Sequence, residues 1–342
     1  MCDTKAEKME QSVVFKWDDI SGKPKESNKE IYKKIVDEIY KEAEKDGIFE
    51  NKYMDIKRFE ELSRAPEYFF ILGDEKIYKY QAKYCLWLWF FDDLVDNNNS
   101  TIEYVKNIVD EMDILVEDIK QQIITGNNIN IQIQKYNYIV KNFATFVCCL
   151  FNLIKNKVNS KEWWNRFLNN HIKYMKHSLI VKQNSSNSDL SFNLALEYRL
   201  YDSACYQCFD LFELQIDDFL DDKSYFSKIY SKLRFLANKN ISLVNDIYSW
   251  PKDHYNDNLT NLIIDRVAKE QGSLSDASSY LLNIINNDIL IFDHLSKSVT
   301  HNHPSLQKLI FMLKWNMVSH WNWALSTNRY KHKFSLLPEF LI

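Results

Sequence analysis

Apolar residues recur every three or four positions along most of the chain, the period of a helix face turned to a core. Ile31, Ile35, Val36 and Ile39 form such a stripe and predict a first helix from Ser27, stopped by Gly47. Asp55 to Ser63 reads as a short helix ahead of Pro66, and the stretch after Gly73 as one that runs out in Asn97, Asn98 and Asn99. Ile102 to Ile124 is amphipathic and ends at Gly126. The GNNINIQIQ that follows alternates like a short strand from Ile129 to Ile133, but its asparagines suit a connection between helices better. Tyr136 to Lys157 and Lys161 to Lys182 read as long helices, and NSSNSD at 184–189 as a loop. Further helices are expected from Ser191 to about Leu220, Phe226 to about Asp253, Leu259 to Lys269, Asp276 to Ser298 and Ser305 to Leu325. No fixed-period repeat suggests a solenoid. The pattern predicts an all-α bundle of about ten helices, a single domain over 27–342 with its site between facing helices. Residues 1–26, with Gly22 and Pro24, read as an irregular lead-in that Phe15 and Trp17 can anchor.

Composition supports this. Five glycines and five prolines in 342 residues leave few turns for a many-stranded sheet, and there is no glycine-rich phosphate loop. With 43 basic and 47 acidic residues the net charge of -4 gives no general reason to expect nucleic acid, so any anion must be held locally. The start, MCDTKAEKMEQ, lacks the apolar centre of a signal peptide, and the longest apolar run is short of a membrane span; a soluble, cytoplasmic protein is expected. The six cysteines include Cys148, Cys149 and a Cys205/Cys208 pair, but no second pair or histidine cluster completes a zinc site, and buried free thiols are the expectation.

Two stretches carry chemistry. In YCLWLWFFDDLVD, from Tyr84 to Asp96, an aromatic run meets three aspartates within one helical turn. On a helix, Asp92 and Asp96 share a face with Asp93 beside them, and Cys85, Leu88 and Trp89 precede Asp92 on that stripe. Three like charges so close call for a cation, and a hard divalent ion such as Mg2+ prefers oxygen ligands. The alternative is a helix end whose acids are simply solvated. In LVNDIYSWPKDHY, Asn245, Ser249 and Asp253 fall at i, i+4 and i+8, so an amide oxygen, a hydroxyl and a carboxylate share one face, and Lys252 lies beside them to meet an anion. Solvent exposure is the competing reading here too.

Taken together in order, these stretches resemble the class I terpene synthases, in particular the single-domain microbial type that includes the amoebal enzymes. Asp92, Asp93 and Asp96 look like the family's aspartate-rich motif, and Asn245, Ser249 and Asp253 with Lys252 like its Asn/Ser/Glu motif. Arg199 stands where the family keeps a diphosphate-sensing arginine, Asp202 and Ser203 at its linker and effector positions, and Arg329 with Tyr330 at its C-terminal Arg-Tyr pair. The likeness spans about residues 70–335. It implies a helical isoprenoid-synthase bundle around an apolar cavity. Three Mg2+ ions, Arg199, Lys252, Arg329 and the Tyr330 hydroxyl would gather a prenyl diphosphate, with farnesyl diphosphate expected from the family. Ionisation would leave a carbocation that is cyclised or deprotonated to a terpene, with Leu88, Trp89 and Trp323 lining the pocket. It implies no nucleic acid and no membrane span, and leaves a homodimer open. Two departures stand out: Asp253 replaces the usual glutamate, and Pro251 should kink or end the helix before it.

Two other readings remain. A trans-prenyl diphosphate synthase shares the fold and uses two aspartate-rich motifs, and Asp217, Asp218 and Asp221 form a second one here. Against it, asparagines follow Asp96 where chain-elongating enzymes carry paired arginines. A non-catalytic helical scaffold is the remaining alternative, favoured by Asp253 and Pro251.

Overall fold

The structure, a computed structural model, describes residues 13–15, 17, 19–45, 56–97, 99–126, 128–184, 191–255, 261–270, 273–299 and 303–330, without the side chains of Lys252, Tyr255, Ala268 and Glu270. Among these residues there is no strand, and the α-helices are α1 (Lys29–Lys45), α2 (Ile56–Ser63), α3 (Ala65–Phe69), α4 (Glu75–Asp96), α5 (Ile102–Ile124), α6 (Tyr138–Ile154), α7 (Ser160–Asn184), α8 (Phe192–Asp202), α9 (Cys205–Ile216), α10 (Asp222–Tyr225), α11 (Lys228–Tyr255), α12 (Leu262–Glu270), α13 (Leu274–Ser298) and α14 (Pro304–Ser326). None is long and apolar enough to cross a membrane.

The helix starts follow from their caps. Asp74 accepts the Ile77 N–H at the head of α4, Thr101 the Tyr104 N–H of α5 and Asn137 the Ile139 N–H of α6. Ser273 and Asp276 form a reciprocal capping box on α13. Amphipathic helices such as α5 bury one stripe, but α4 is buried on nearly all sides, from Tyr78 to Val95. It is wrapped by α1, α2, α3, α6, α7 and α9, while α11 packs on α8, α9, α12, α13 and α14. Each large apolar side chain buried around α4 contributes about 1.5 to 3 kcal/mol, so the aromatic run that marks this stretch in the sequence is also what fixes its position.

The described residues of the lead-in before Glu26 are irregular and packed against the bundle. Trp17 is buried, its Nε1 donates to Asp293 at 3.1 Å, and its ring meets Phe292 edge-on. Gly22 takes a positive φ of 56° against α14, where a Cβ would come within 2.6 Å of Val318 and 2.7 Å of the Ser319 nitrogen. Only glycine fits that approach.

The connection expected at Ile129 to Ile133 is observed, as coil leading into a 3-10 turn at Ile133–Lys135. Two expectations need correction. The helix expected from Ser191 to Leu220 is two, α8 and α9, parted where Ala204 adopts φ +58°. No glycine or proline marks this break. Side chains stabilise it instead: Asn238 Nδ2 donates to the Leu200 carbonyl at 2.7 Å, and Ser203 Oγ donates to Asn238 Oδ1 at 2.8 Å. Finally, α11 does not end at Pro251 but continues to Tyr255. The helix is tied from outside on both sides of the proline, where Asn261 Nδ2 donates to the Asp246 carbonyl at 3.0 Å and to Asp253 Oδ2 at 2.9 Å. The predicted stop at Gly47 and most of the NSSNSD loop lie outside the described residues.

Candidate active site

Residues of α3, α4, α8, α9, α11 and α14, with Arg329 and Tyr330 beyond α14, enclose a cavity of about 140 Å³. Asp92 and Asp96 reach it from α4, and Asn245, Asp246, Ser249 and Asp253 from α11. Positions more than 140 residues apart in sequence thus open on one hollow. Its remaining wall includes Phe69, Trp89, Cys205, Ile241 and His320.

Arg329 and Tyr330 tie the two acidic and amide patches together. Arg329 Nη2 donates to Asp92 at 3.0 Å, and Asn245 Nδ2 donates to the Tyr330 hydroxyl at 2.6 Å. A turn after α14, in which the Arg329 N–H donates to Thr327 Oγ1 at 3.2 Å, sets this pair. The Arg329 guanidinium also lies over the Trp89 ring, 4.4 Å from its centre. Burial opposes its charge, but Asp93 and Asp92 outweigh burial and hold it firmly protonated.

Arg199, on the last turn of α8, spans to α11: Nε donates to Asp246 Oδ1 and Nη2 to Asn245 Oδ1, both at 2.7 Å. Asp202 stands 3.7 Å from its Nη1 and accepts from Ser178 Oγ at 2.6 Å. Desolvation disfavours the Arg199 charge, yet the carboxylates of Asp246 and Asp202 reverse the effect and raise its pKa. Burial pushes the Asp246 carboxyl up to about 6 against the pull of Arg199, and it raises Asp202 as well. Burial lifts the Tyr330 phenol to about 12 and depresses the His320 imidazole to about 3, so both are neutral at pH 7.

Beyond Asn245, Ser249 Oγ donates to Asp253 Oδ2 at 2.6 Å, and Asn261 Nδ2 reaches the same oxygen at 2.9 Å. The shortened Asp253 carboxylate therefore stands on the cavity wall despite Pro251. The donor set of Asp92, Asp96, Asn245, Ser249 and Asp253 is all oxygen, the chemistry a hard divalent cation prefers. Among the described residues no three His, Cys, Asp or Glu side chains form a ready-made metal cluster. The oxygens lie on two helices, α4 and α11, that face one cavity.

A family model for terpene synthase family 2, C-terminal metal binding, matches residues 83–289, from within α4 to within α13. The chain belongs to terpene synthase family 2. A curated relative of this terpene synthase, the (+)-T-muurolol synthase ((2E,6E)-farnesyl diphosphate cyclizing) of Roseiflexus castenholzii, is 27% identical over 136 residues, 39% of this chain. The match spans 42% of that relative, less than half of its length. Among solved structures, linalool/nerolidol synthase from Streptomyces clavuligerus superposes with a TM-score of 0.69 at 13% identity, covering 92% of this chain and 98% of that one. Hedycaryol synthase in complex with nerolidol gives a TM-score of 0.68 at 12% identity, covering 93% and 99%. At such identities these likenesses establish the helical terpene synthase fold.

Not every expected residue of this terpene synthase lines the hollow. Asp93 is turned away and gripped by Arg58 of α2, whose Nε and Nη2 donate to its two oxygens at 2.6 and 2.5 Å. Leu88 and Trp323 are buried in the packing and do not line the cavity; Trp323 meets Phe69 and Tyr330 edge-on and Trp89 at a tilt. The Lys252 side chain lies outside the described residues. The second aspartate cluster is elsewhere: Asp217 caps the end of α9 and pairs with Lys157, and Asp218 accepts from Ser305 Oγ. Cys205 and Cys208 are free thiols. Arg58, Asn238, Asn261 and His320 escaped the sequence reading, because each belongs to no spacing pattern and acts only through residues distant in the chain.

Proposed function

We propose that this chain is a class I terpene synthase that ionises farnesyl diphosphate and converts the resulting cation to a sesquiterpene. The observation that carries the reading is the single cavity on which the oxygen-rich patches of α4 and α11 both open, bridged by Arg329 and Tyr330.

Asp92 and Asp96 on one side, and Asn245, Ser249 and Asp253 on the other, would hold Mg2+, three ions in all. When bound, the metal neutralises the diphosphate oxygens and makes the group a better leaving group. Arg199, Arg329 and the Tyr330 hydroxyl bind the remaining phosphate oxygens through hydrogen bonds, and Lys252 is assigned the same task. As the allylic C–O bond breaks, its electron pair leaves with the diphosphate, and these preorganised donors favour that charge in the transition state. Asp202 keeps Arg199 oriented, and the Ser203 carbonyl at the α8–α9 break is assigned the effector role. Asp93, through Arg58 and Arg329, positions the aspartate-bearing turn.

Substrate binding must part groups that now satisfy each other. Arg329 exchanges Asp92 for phosphate oxygens, which frees the Trp89 face for a carbocation, a contact worth on the order of 0.5 to 2 kcal/mol. At about 140 Å³ the cavity is smaller than the 300 Å³ or more of usual ligand sites, so its walls widen around the prenyl chain. Phe69, Trp89 and Ile241 then exclude water from the cation.

The test is incubation of the purified protein with geranyl, farnesyl or geranylgeranyl diphosphate and Mg2+, without isopentenyl diphosphate, with headspace gas chromatography. A fifteen-carbon hydrocarbon or alcohol from farnesyl diphosphate supports the reading. Products only after isopentenyl diphosphate is added would assign chain elongation instead, and no product with any of the three would assign a scaffold.

A further inference from the structure

A second cavity, of about 400 Å³, lies between α7, the α8–α9 junction and the start of α11. Tyr201 and Tyr206 line it, flanking Asp202, Ser203 and Cys205, which line the cavity described above. The two hollows thus share the α8–α9 break as a wall.

Its lining is unusual in charge. Arg166, Arg234 and Lys173 border it, the other lining groups are amides, hydroxyls and rings, and no carboxylate is among them. The acids that compensate Arg166 stand behind it: Nη2 donates to Glu213 and Nη1 to Asp222, both at 2.9 Å. Arg234 has no such arrangement. Only 7% exposed, it leaves Nε and Nη1 without a hydrogen-bond partner. The nearest carboxylate, Asp210, is 3.7 Å away, and its oxygens already accept from the Tyr225 hydroxyl at 2.6 Å and from Asn170 Nδ2 at 2.8 Å. Both guanidiniums also lie over the one Tyr225 ring, at 4.2 and 3.7 Å from its centre, where their like charges repel. Burial lifts the Glu213 carboxyl to about 8, which weakens the compensation of Arg166 near neutral pH. A buried cation without a hydrogen-bonded counter-ion is costly, and an anion in the adjoining hollow relieves that cost.

We propose that this cavity is a second anion site that takes a small tetrahedral oxyanion, inorganic phosphate in the first instance. Arg234 and Arg166 hold it from the floor, and Lys173 with Asn165 and Asn169 from the mouth. Guanidinium forks match phosphate oxygens, and an exposed lysine adds a point charge where the anion enters. The site stands apart from the terpene-forming reading and does not depend on it.

The test uses the full chain in buffer with a chelator, so that metal-assisted phosphate binding at Asp92 and Asn245 plays no part. Isothermal titration with inorganic phosphate, at ionic strength matched with chloride, should show one saturable site, retained in Arg329→Gln. Arg234→Gln should weaken it by about tenfold or more, the scale of a charged hydrogen bond. Lys173→Gln, an exposed change that the fold tolerates, should weaken it by about threefold. The proposal is overturned if phosphate does not bind, if Arg329→Gln abolishes binding, if Lys173→Gln leaves it unchanged, or if acetate binds as tightly.

Discussion

Asp246 offers the sharpest test of how the site is held together. Its side chain is 1% exposed; Oδ1 takes the Arg199 Nε–H at 2.7 Å and Oδ2 the Leu262 N–H at the head of α12 at 3.0 Å. Asp246→Ala removes the closest counter-ion of a guanidinium that is itself only 14% exposed, and it orphans a backbone donor. Breaking a buried pair costs about 3 to 5 kcal/mol, and an unsatisfied buried N–H about 1 to 3. Asp202, 3.7 Å from Arg199, and Asn245, at 2.7 Å, recover part of the loss, which places the expected cost at about 3 to 4 kcal/mol. That is a large share of the 5 to 15 kcal/mol that usually separates folded from unfolded. Urea unfolding followed by far-ultraviolet circular dichroism measures it. Removing the charge on both sides, in Asp246→Leu with Arg199→Met, should return about 2 kcal/mol of the loss, because the buried guanidinium no longer stands without its closest counter-ion, and only Asp202, 3.7 Å from Arg199 and bonded to Ser178, loses a partner. A loss under about 1 kcal/mol for Asp246→Ala, or strict additivity in the double variant, would refute the pairing as the cause.

Three further outcomes are expected. Asp92→Ala and Asn245→Ala should each nearly abolish turnover of farnesyl diphosphate while leaving the helical dichroism intact; near-normal rates would contradict their place as metal ligands. His171 and His320 are buried and held near pKa 3, so the folded chain refuses protons that the unfolded chain takes up at about 6.5. Their contribution is complete above that pH and is lost as pH falls towards 3, by about 2 kcal/mol each at pH 5; an unchanged urea midpoint between pH 7 and 5 would count against it. Pro251→Ala restores a backbone donor within α11 and should raise stability by about 1 to 3 kcal/mol, with a lower urea midpoint as the contrary result.

What could be read in the sequence was what depends on local period and spacing. The limits of α5 follow from its apolar stripe, and the turn that presents Asp92 and Asp96 follows from an aromatic run buried on nearly all sides. The break between α8 and α9 was hidden, since Ala204 takes a left-handed conformation that its side chain does not favour. The reason lies on α11, where Asn238 caps the loose Leu200 carbonyl. The persistence of α11 past Pro251 was hidden for a similar cause, because Asn261, which bonds to Asp246 and Asp253 on either side of the proline, comes from beyond the end of that helix. Asp93 differs again: its spacing fits a motif, but Arg58 decides where it points.

A crystal structure of the protein with Mg2+ and inorganic diphosphate shows whether α4 and α11 grip one magnesium diphosphate between them. Metal ions are expected to link diphosphate oxygens to Asp92 on one side and to Asn245 and Ser249 on the other, with Arg329 turned from Asp92 to the anion. Diphosphate bound outside this cavity, or held with metal touching only one of the two helices, would contradict this expectation.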